Sequence, residues 1–300
     1  MRKAFLQLHL AVFLAGFTGV LGRLITLNEG LIVWYRLLLT AATMWLLFYF
    51  RKKIEKIPAG LLLRIMGVGC IAALHWVTFY GSVKYANVSV ALVCFSAIGF
   101  FTALLEPLIF RTRVQPVEVA LGLLTIFAVF LIFHFDARYQ TGIILGIISA
   151  FLGSLFPVYN RAFLQKTNIE TMLTWQQTGG LLALSCILPV YLQYSPADKL
   201  LPNWQDWGWL LLLAWVCSVW AFQLSSAALK KLSAFTVNLS YNLEPVYGIL
   251  LAFAIYHENR ELGYWFYAGL AIILAVLIIH AWWMMMRHRQ AARTGSSTVV

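Results

Sequence analysis

Ten stretches of about twenty predominantly apolar residues follow one another along this chain, near residues 4 to 23, 30 to 50, 60 to 83, 86 to 110, 115 to 134, 140 to 162, 169 to 193, 206 to 228, 232 to 256 and 262 to 286. At about 1.5 Å per residue, runs of this length match a hydrocarbon core about 30 Å thick. A bilayer offers no water to free N–H and C=O groups, so each run is expected to be a helix that satisfies its own backbone. The polar breaks are short: RKKIEK (51–56), RTRVQP (111–116), HFDARYQ (134–140), QKTN (165–168) and YSPADKLLPNWQD (194–206). None is long enough for a soluble domain. With 62% hydrophobic and 11% charged residues the chain lacks the surface a water-soluble fold needs. The expected fold class is an all-α membrane protein with ten transmembrane helices.

Charge sets the expected orientation. With the N-terminus inside, Arg2, Lys3, Arg51, Lys52, Lys53, Lys56, Arg64, Arg111, Arg113, Arg161, Lys166, Lys230, Lys231, Arg287, Arg289 and Arg293 are cytoplasmic, 16 of the 22 basic residues. This positive-inside bias predicts an inner-membrane protein with both termini in the cytoplasm. The net charge of +11 is scattered over the inner loops, where anionic lipid headgroups meet it, so the bilayer and not nucleic acid is the expected partner. The opening MRK resembles a secretory signal, but AGFTGVLGRL has no A-x-A cleavage pattern, and the segment reads as a retained first helix. Cys70, Cys94, Cys186 and Cys217 lie within spans without CxxC spacing, so no metal, disulfide frame or cofactor is expected.

Ten spans divide into five and five, and an odd number per half puts the halves in opposite membrane orientations. The sequence supports this division. Lys84 on Lys231 and Gly122 on Gly269 share one offset of 147. FLAGFTGVLGR (13–23) matches FLGSLFPVYNR (151–161) at an offset of 138, and VWYR (33–36) lies near TWQQ (174–177). The expected organisation is a 5+5 inverted-topology repeat: residues 1–134, residues 139–286, and a disordered cytoplasmic tail at 287–300. The two Glu-Pro pairs fall out of this register, since the same offset sets Glu244 opposite Ala97.

WYRLLLTAA in the second span, VKYANVSVAL opening the fourth, LKKLSAFTVNLSYNLEPVYGILLAFAIYHE through the ninth and YAGLAIILAVLII in the tenth together resemble the EamA family of the drug/metabolite transporter superfamily, over residues 5 to 285. The resemblance implies a ten-helix carrier of two inverted repeats, with a central substrate cavity and alternating access. Glu258 stands 11 residues before Gly269, slightly more than the usual spacing. Arg111 occupies the matching place in the first half, so these end-of-helix charges are not read as transport machinery.

Polar residues inside the spans are the candidate site. Glu244 lies twelve residues after Leu232, roughly 18 Å into the core, too deep for a short carboxylate to reach water. Such a group belongs in the bundle interior or a wet cavity and is a candidate for proton coupling. Pro245 next to it also supplies a structural reading, a helix kink that frees the Tyr241 carbonyl. Helical spacing puts Asn238, Tyr241 and Glu244 on one face with Asn242 beside them, lining either a cavity or an interhelical seam. In the third span His75, Trp76 and Tyr80 combine an ionisable ring with aromatic surface, and Tyr80 also fits an interfacial belt. Arg36 either snorkels outward or pairs a carboxylate on a neighbouring helix or a substrate. Gln177 and Gln223 add amides, and Glu106 reads as an interfacial charge. Small residues at four-residue spacing, Gly142, Gly146 and Ala150, and Ala11, Ala15 and Gly19, predict close helix packing.

These features predict a transporter of small organic metabolites, an exporter of amino acids or similar amphipathic compounds, with a flippase for a lipid-linked carrier or a multidrug-type efflux protein as the alternative. The sequence has neither GxSxG nor HExxH, which argues against an enzyme.

Overall fold

A computed structural model describes residues 2–111, 113–135, 137–229, 240–241 and 243–294, and among these there is no β-strand. The helices are α1 (Arg2–Leu24), α2 (Glu29–Phe50), α3 (Ala59–Tyr85), α4 (Val88–Phe95), α5 (Ile98–Phe110), α6 (Pro116–Phe135), α7 (Gln140–Phe163), α8 (Ile169–Tyr194), α9 (Trp204–Leu211), a π-helical stretch (Leu212–Trp220), α10 (Ala221–Leu229), α11 (Glu244–Tyr256) and α12 (Tyr264–Thr294). Four of them begin at an asparagine whose side chain accepts from the first turn. Asn28 takes Gly30 N–H at 2.8 Å, Asn87 takes Val90 N–H at 2.8 Å, Asn168 takes Thr171 N–H at 2.7 Å and Asn203 takes Asp206 N–H at 2.7 Å. The residues that end one polar break therefore satisfy the orphan donors of the next helix.

Among the described residues, seven segments are long and apolar enough to cross a membrane: 3–24, 29–50, 59–85, 88–110, 140–160, 204–225 and 264–287. The helical runs 116–132 and 244–256 are apolar but shorter. α8 has the length, 26 residues, and carries buried Thr171, Thr174, Gln176 and Gln177.

The fourth and ninth spans depart from the single helices expected. The fourth turns at Ser96 and Ala97, between α4 and α5, and the ninth turns at Leu243 before α11. These breaks coincide at the offset of 147 read from the sequence. Pro245 does not kink a continuing helix; it sits in the first turn of a new one, where its missing N–H leaves no bond unmade. α5 and α11 both end on a left-handed residue, Arg111 at φ 55° and His257 at φ 56°. α12 also extends beyond the expected end at residue 286, to Thr294, since the Arg, Gln and Ala that follow are good helix formers.

Exchange of the halves maps the helix contacts onto one another. The α3–α7 contact corresponds to α1–α10, α3–α8 to α2 with the π stretch, and α5–α7 to α1–α11, while α2–α8 and α6–α12 map onto themselves. α1 ends where α7 begins: Ile25, just past α1, accepts from Lys84 near the end of α3, and Gly142 in the first turn of α7 packs against Ala86 just beyond α3. The two repeats therefore run in opposite directions. One face carries the start of α1 and the 51–58 and 164–168 loops, here called the terminal face; the far face carries the 25–28, 86–87, 195–203 and 257–263 loops.

Glycines set the closest seams. A Cβ on Gly69 of α3 would lie 2.0 Å from the Gln176 carbonyl of α8, and one on Gly179 would lie 2.5 Å from Met66. On α7, Gly142 and Gly146 pack against Ala86 and Cys94 as the spacing predicts. The tightest backbone approach on α1 is at Gly16, one residue off the predicted row, where a Cβ would stand 2.7 Å from the Glu244 carbonyl.

Candidate functional site

The two repeats meet in three polar layers. At the far face Glu258, fully buried, accepts from the first amides of α4, Val88 N–H at 3.0 Å and Ser89 N–H at 2.8 Å, and is paired with Arg23 at the end of α1. Arg23 lies over the Tyr256 ring at 4.4 Å. Asp206 accepts from Thr26 N–H and Lys199 Nζ, both at 2.7 Å, and Tyr191 donates to Glu29. A carboxylate at a helix N-terminus meets unpaired N–H groups and the positive end of the helix dipole, which accounts for the burial of Glu258. Sequence reasoning set Glu258 aside; the structure makes it the junction of three segments.

A second element joins α2 and α8 at both faces. Asn28, the N-cap of α2, donates to the Ser195 carbonyl at 3.3 Å as the chain leaves α8. Asn168, the N-cap of α8, donates to the Lys53 carbonyl at 2.8 Å as the chain leaves α2. Exchange of the halves turns one bond into the other. Glu55 and Lys53 reinforce the terminal-face bond through Thr167, Asn168 and Glu170.

Between the faces lies Arg36 of α2. It neither snorkels outward nor meets lipid: it is 5% exposed. Its Nε donates to Ser218 at 3.1 Å, its Nη1 donates to Tyr80 at 2.9 Å, and its guanidinium covers the Trp76 ring at 4.3 Å. Tyr80 is fully buried, so the interfacial-belt reading does not hold; its hydroxyl is committed to Arg36. Ser218 lies in the π-helical stretch and donates to the Leu213 carbonyl at 3.0 Å, leaving its oxygen free to accept from Arg36. π-Helical turns give no periodicity signal in a sequence, so Ser218 was not foreseen; such turns are frequent at functional sites.

Trp76 also walls a cavity of about 40 Å³ lined by Gly69, Ala72, Asn160, Leu173, Gln176, Gln177 and Phe222. Gln176 donates to Asn160 across it. Three helices of the second repeat thus meet α3 of the first around one small chamber, mostly apolar with three amide side chains in its wall.

The other expected site residues are distributed around this core. His75 faces α7, its Nδ1 2.9 Å from both the carbonyl and the hydroxyl of Ser149, with the Phe95 ring at 5.3 Å. Gln177 is buried on the cavity wall, whereas Gln223, next to the cavity residue Phe222, is exposed. Tyr241 bonds with Ser225 of α10 and packs against α1. Asn238 and Asn242 lie outside the described residues. Glu244 opens α11 beside Gly16, partly accessible although protein surrounds it, and within electrostatic range of Arg36.

The chain matches the model of the EamA-like transporter family twice, over residues 2–134 and 140–280. A protein of Haemophilus influenzae described as an uncharacterized transporter is 24% identical over 277 residues, covering 85% of this chain and 86% of that protein. A solved crystal structure shares the fold with a TM-score of 0.61, covering 93% of this chain and 95% of the other at 15% identity. With two matches that together span nearly the whole of a multi-pass membrane chain, this protein belongs to the EamA-like transporter family.

Proposed function

We propose that this protein exports small amphipathic metabolites, amino acids or related compounds, across the inner membrane by alternating access, with both termini in the cytoplasm. The basic loops support that orientation and make the far face the outer one. The observation that carries the reading is the layering of polar contacts between the repeats: a far face joined by Arg23 and Glu258, beneath it the Arg36–Ser218 bond, and a chamber lined from both repeats. A chamber of about 40 Å³ is far below the roughly 300 Å³ of a small-molecule pocket, so cargo enters only when the halves part toward one face. The α2–α8 pair, bonded at both faces, suits the fixed axis of that motion, and the Arg23–Glu258 junction suits its gate. Proton coupling through Glu244 belongs to the same reading.

Counterflow in liposomes tests it. Purified protein is expected to exchange labelled neutral amino acids and not labelled lipid-linked sugars. Movement of the lipid-linked sugars alone would favour a flippase, and movement of neither would refute the transport reading.

A further inference from the structure

Among the described residues, Arg36 and Glu244 are both only partly satisfied. The Arg36 fork uses Nε and Nη1, and its Nη2 has no hydrogen-bond partner among the described residues. The Glu244 carboxyl likewise has no hydrogen bond or ion pair among them. Isolated charges at this depth are costly, and proteins that keep them match them with a counter-charge or use them in transport. The two groups interact electrostatically without forming a salt bridge. Packing along α1 gives their depths independently. The Tyr80 ring lies against Gly22, and the Glu244 carbonyl lies against Gly16. Six residues of helix separate those levels, about 9 Å. Arg36 covers part of that interval, since it reaches from the Tyr80 hydroxyl onto Trp76, one turn deeper on α3. A guanidinium edge and a carboxyl group, neither with a hydrogen-bond partner among the described residues, therefore occupy neighbouring levels of the bundle, separated by more than an ion pair.

We propose that Arg36 and Glu244 form a two-ended receptor for a zwitterion, in which the free edge of the Arg36 fork takes the cargo carboxylate and Glu244 takes its ammonium group. This rests on the transport reading and names the cargo's charge pattern. A guanidinium edge binds a carboxylate through parallel N–H bonds, while a carboxylate accepts ammonium donors. Tyr80 and Ser218 hold the fork in place, and Trp76, stacked on its face, forms the wall between it and the chamber. Bound cargo supplies each group with its missing counter-charge. A compound carrying only one of the two charges leaves the other group unmatched.

Matched probes test this. Binding to the purified full chain is measured for alanine, leucine and phenylalanine, for the amines that lack only the carboxylate (ethylamine, 3-methylbutylamine, 2-phenylethylamine), and for the acids that lack only the ammonium (propanoate, 4-methylpentanoate, 3-phenylpropanoate). At least one amino acid is expected to bind tenfold or more tightly than both its amine and its acid. Arg36→Gln is expected to abolish the preference over the amine, and Glu244→Gln the preference over the acid. Arg36→Lys, which keeps the charge but loses the fork, is expected to reduce the first preference at least threefold and guards against misfolding of the Gln variant. Amines or acids binding as tightly as the amino acids, no amino acid binding, or preferences that survive the substitutions would overturn the proposal. Counterflow separates the two readings: cargo that moves without charge preference removes the receptor and leaves the transporter.

Discussion

Replacing Arg23 by Gln removes the cation from the far-face junction and leaves Glu258 with two amide donors, Val88 and Ser89. Breaking a fully buried ion pair costs about 3–5 kcal/mol because the remaining charge stays desolvated. Two features lower that figure here: Glu258 keeps the α4 amides, and Arg23 is 35% exposed, so solvent already screens part of the attraction. About 2 kcal/mol remains, the scale of one hydrogen bond to a charged group, and it corresponds to roughly a 30-fold increase in far-face opening, since 1.4 kcal/mol is tenfold. Hydrogen–deuterium exchange reads this directly, because the Val88 and Ser89 amides exchange only when Glu258 releases them. In the Arg23→Gln protein these amides are expected to exchange about 30-fold faster at constant pH, while the Asn168–Thr171 amides on the terminal face are unchanged. An acceleration below about threefold, half a power of ten and so under 1 kcal/mol, would show that Arg23 does not hold the face closed. Equal acceleration at both faces would show general destabilisation instead of gate release.

Gly69→Ala places a methyl group 2.0 Å from the Gln176 carbonyl and should lower stability in detergent by about 1–3 kcal/mol, whereas Gly67→Ala, which meets no atom within 4 Å, should leave the melting temperature nearly unchanged. Asn168→Ala removes an N-cap and the bond to Lys53 and should cost about 1–2 kcal/mol, seen as a lower melting temperature. A short thiol cross-link between cysteines at Asn28 and Ser195, across the proposed axis, should spare counterflow, and one between cysteines at Arg23 and Glu258 should stop it; the reverse pattern would exchange axis and gate.

The architecture was legible because bilayer thickness converts directly into run length, and because an odd number of spans per repeat dictates inversion. The paired breaks were not foreseen, since nothing in SAIG marks a helix end, yet Ser96 and Leu243 fall opposite one another at the offset of 147. The site was only partly legible. Arg36, Trp76, Tyr80 and Gln177 are polar or amphipathic residues in apolar runs, a signal that depends on composition. Their arrangement depends on neighbours contributed by the other repeat, so the sequence left Tyr80 open to a membrane-belt reading and missed Ser218 and Asn160. Glu258 was missed because it stands at a span end, where a carboxylate is ordinarily solvated; its burial comes from α4 beginning there, with its first N–H groups in need of an acceptor. The asparagine caps were readable in principle, since TLNEG, YANVS, KTNIE and LPNWQD each set Asn just before a helical run.

Exchange symmetry carries a consequence for the balance of states. On the alternating-access proposal, two repeats that swap roles produce opposite end states of equal energy unless side chains distinguish the faces, and a ligand or contact shifts that balance only by its differential free energy. The distinction here is local. At the far face Arg23 meets Glu258; at the sequence-equivalent places of the terminal face stand Arg161 and Arg111, two like charges. About 2 kcal/mol from the Arg23–Glu258 pair, at 1.4 kcal/mol per tenfold, is enough to hold the far face closed in all but a few per cent of molecules. Arg111→Glu gives the terminal face the same charge pattern without touching the far face. It should shift the population toward terminal-face closure and accelerate Val88 and Ser89 exchange, although both amides and Glu258 are intact. If those amides exchange at the unaltered rate in Arg111→Glu, the two faces are not energetically coupled through exchange of the repeats.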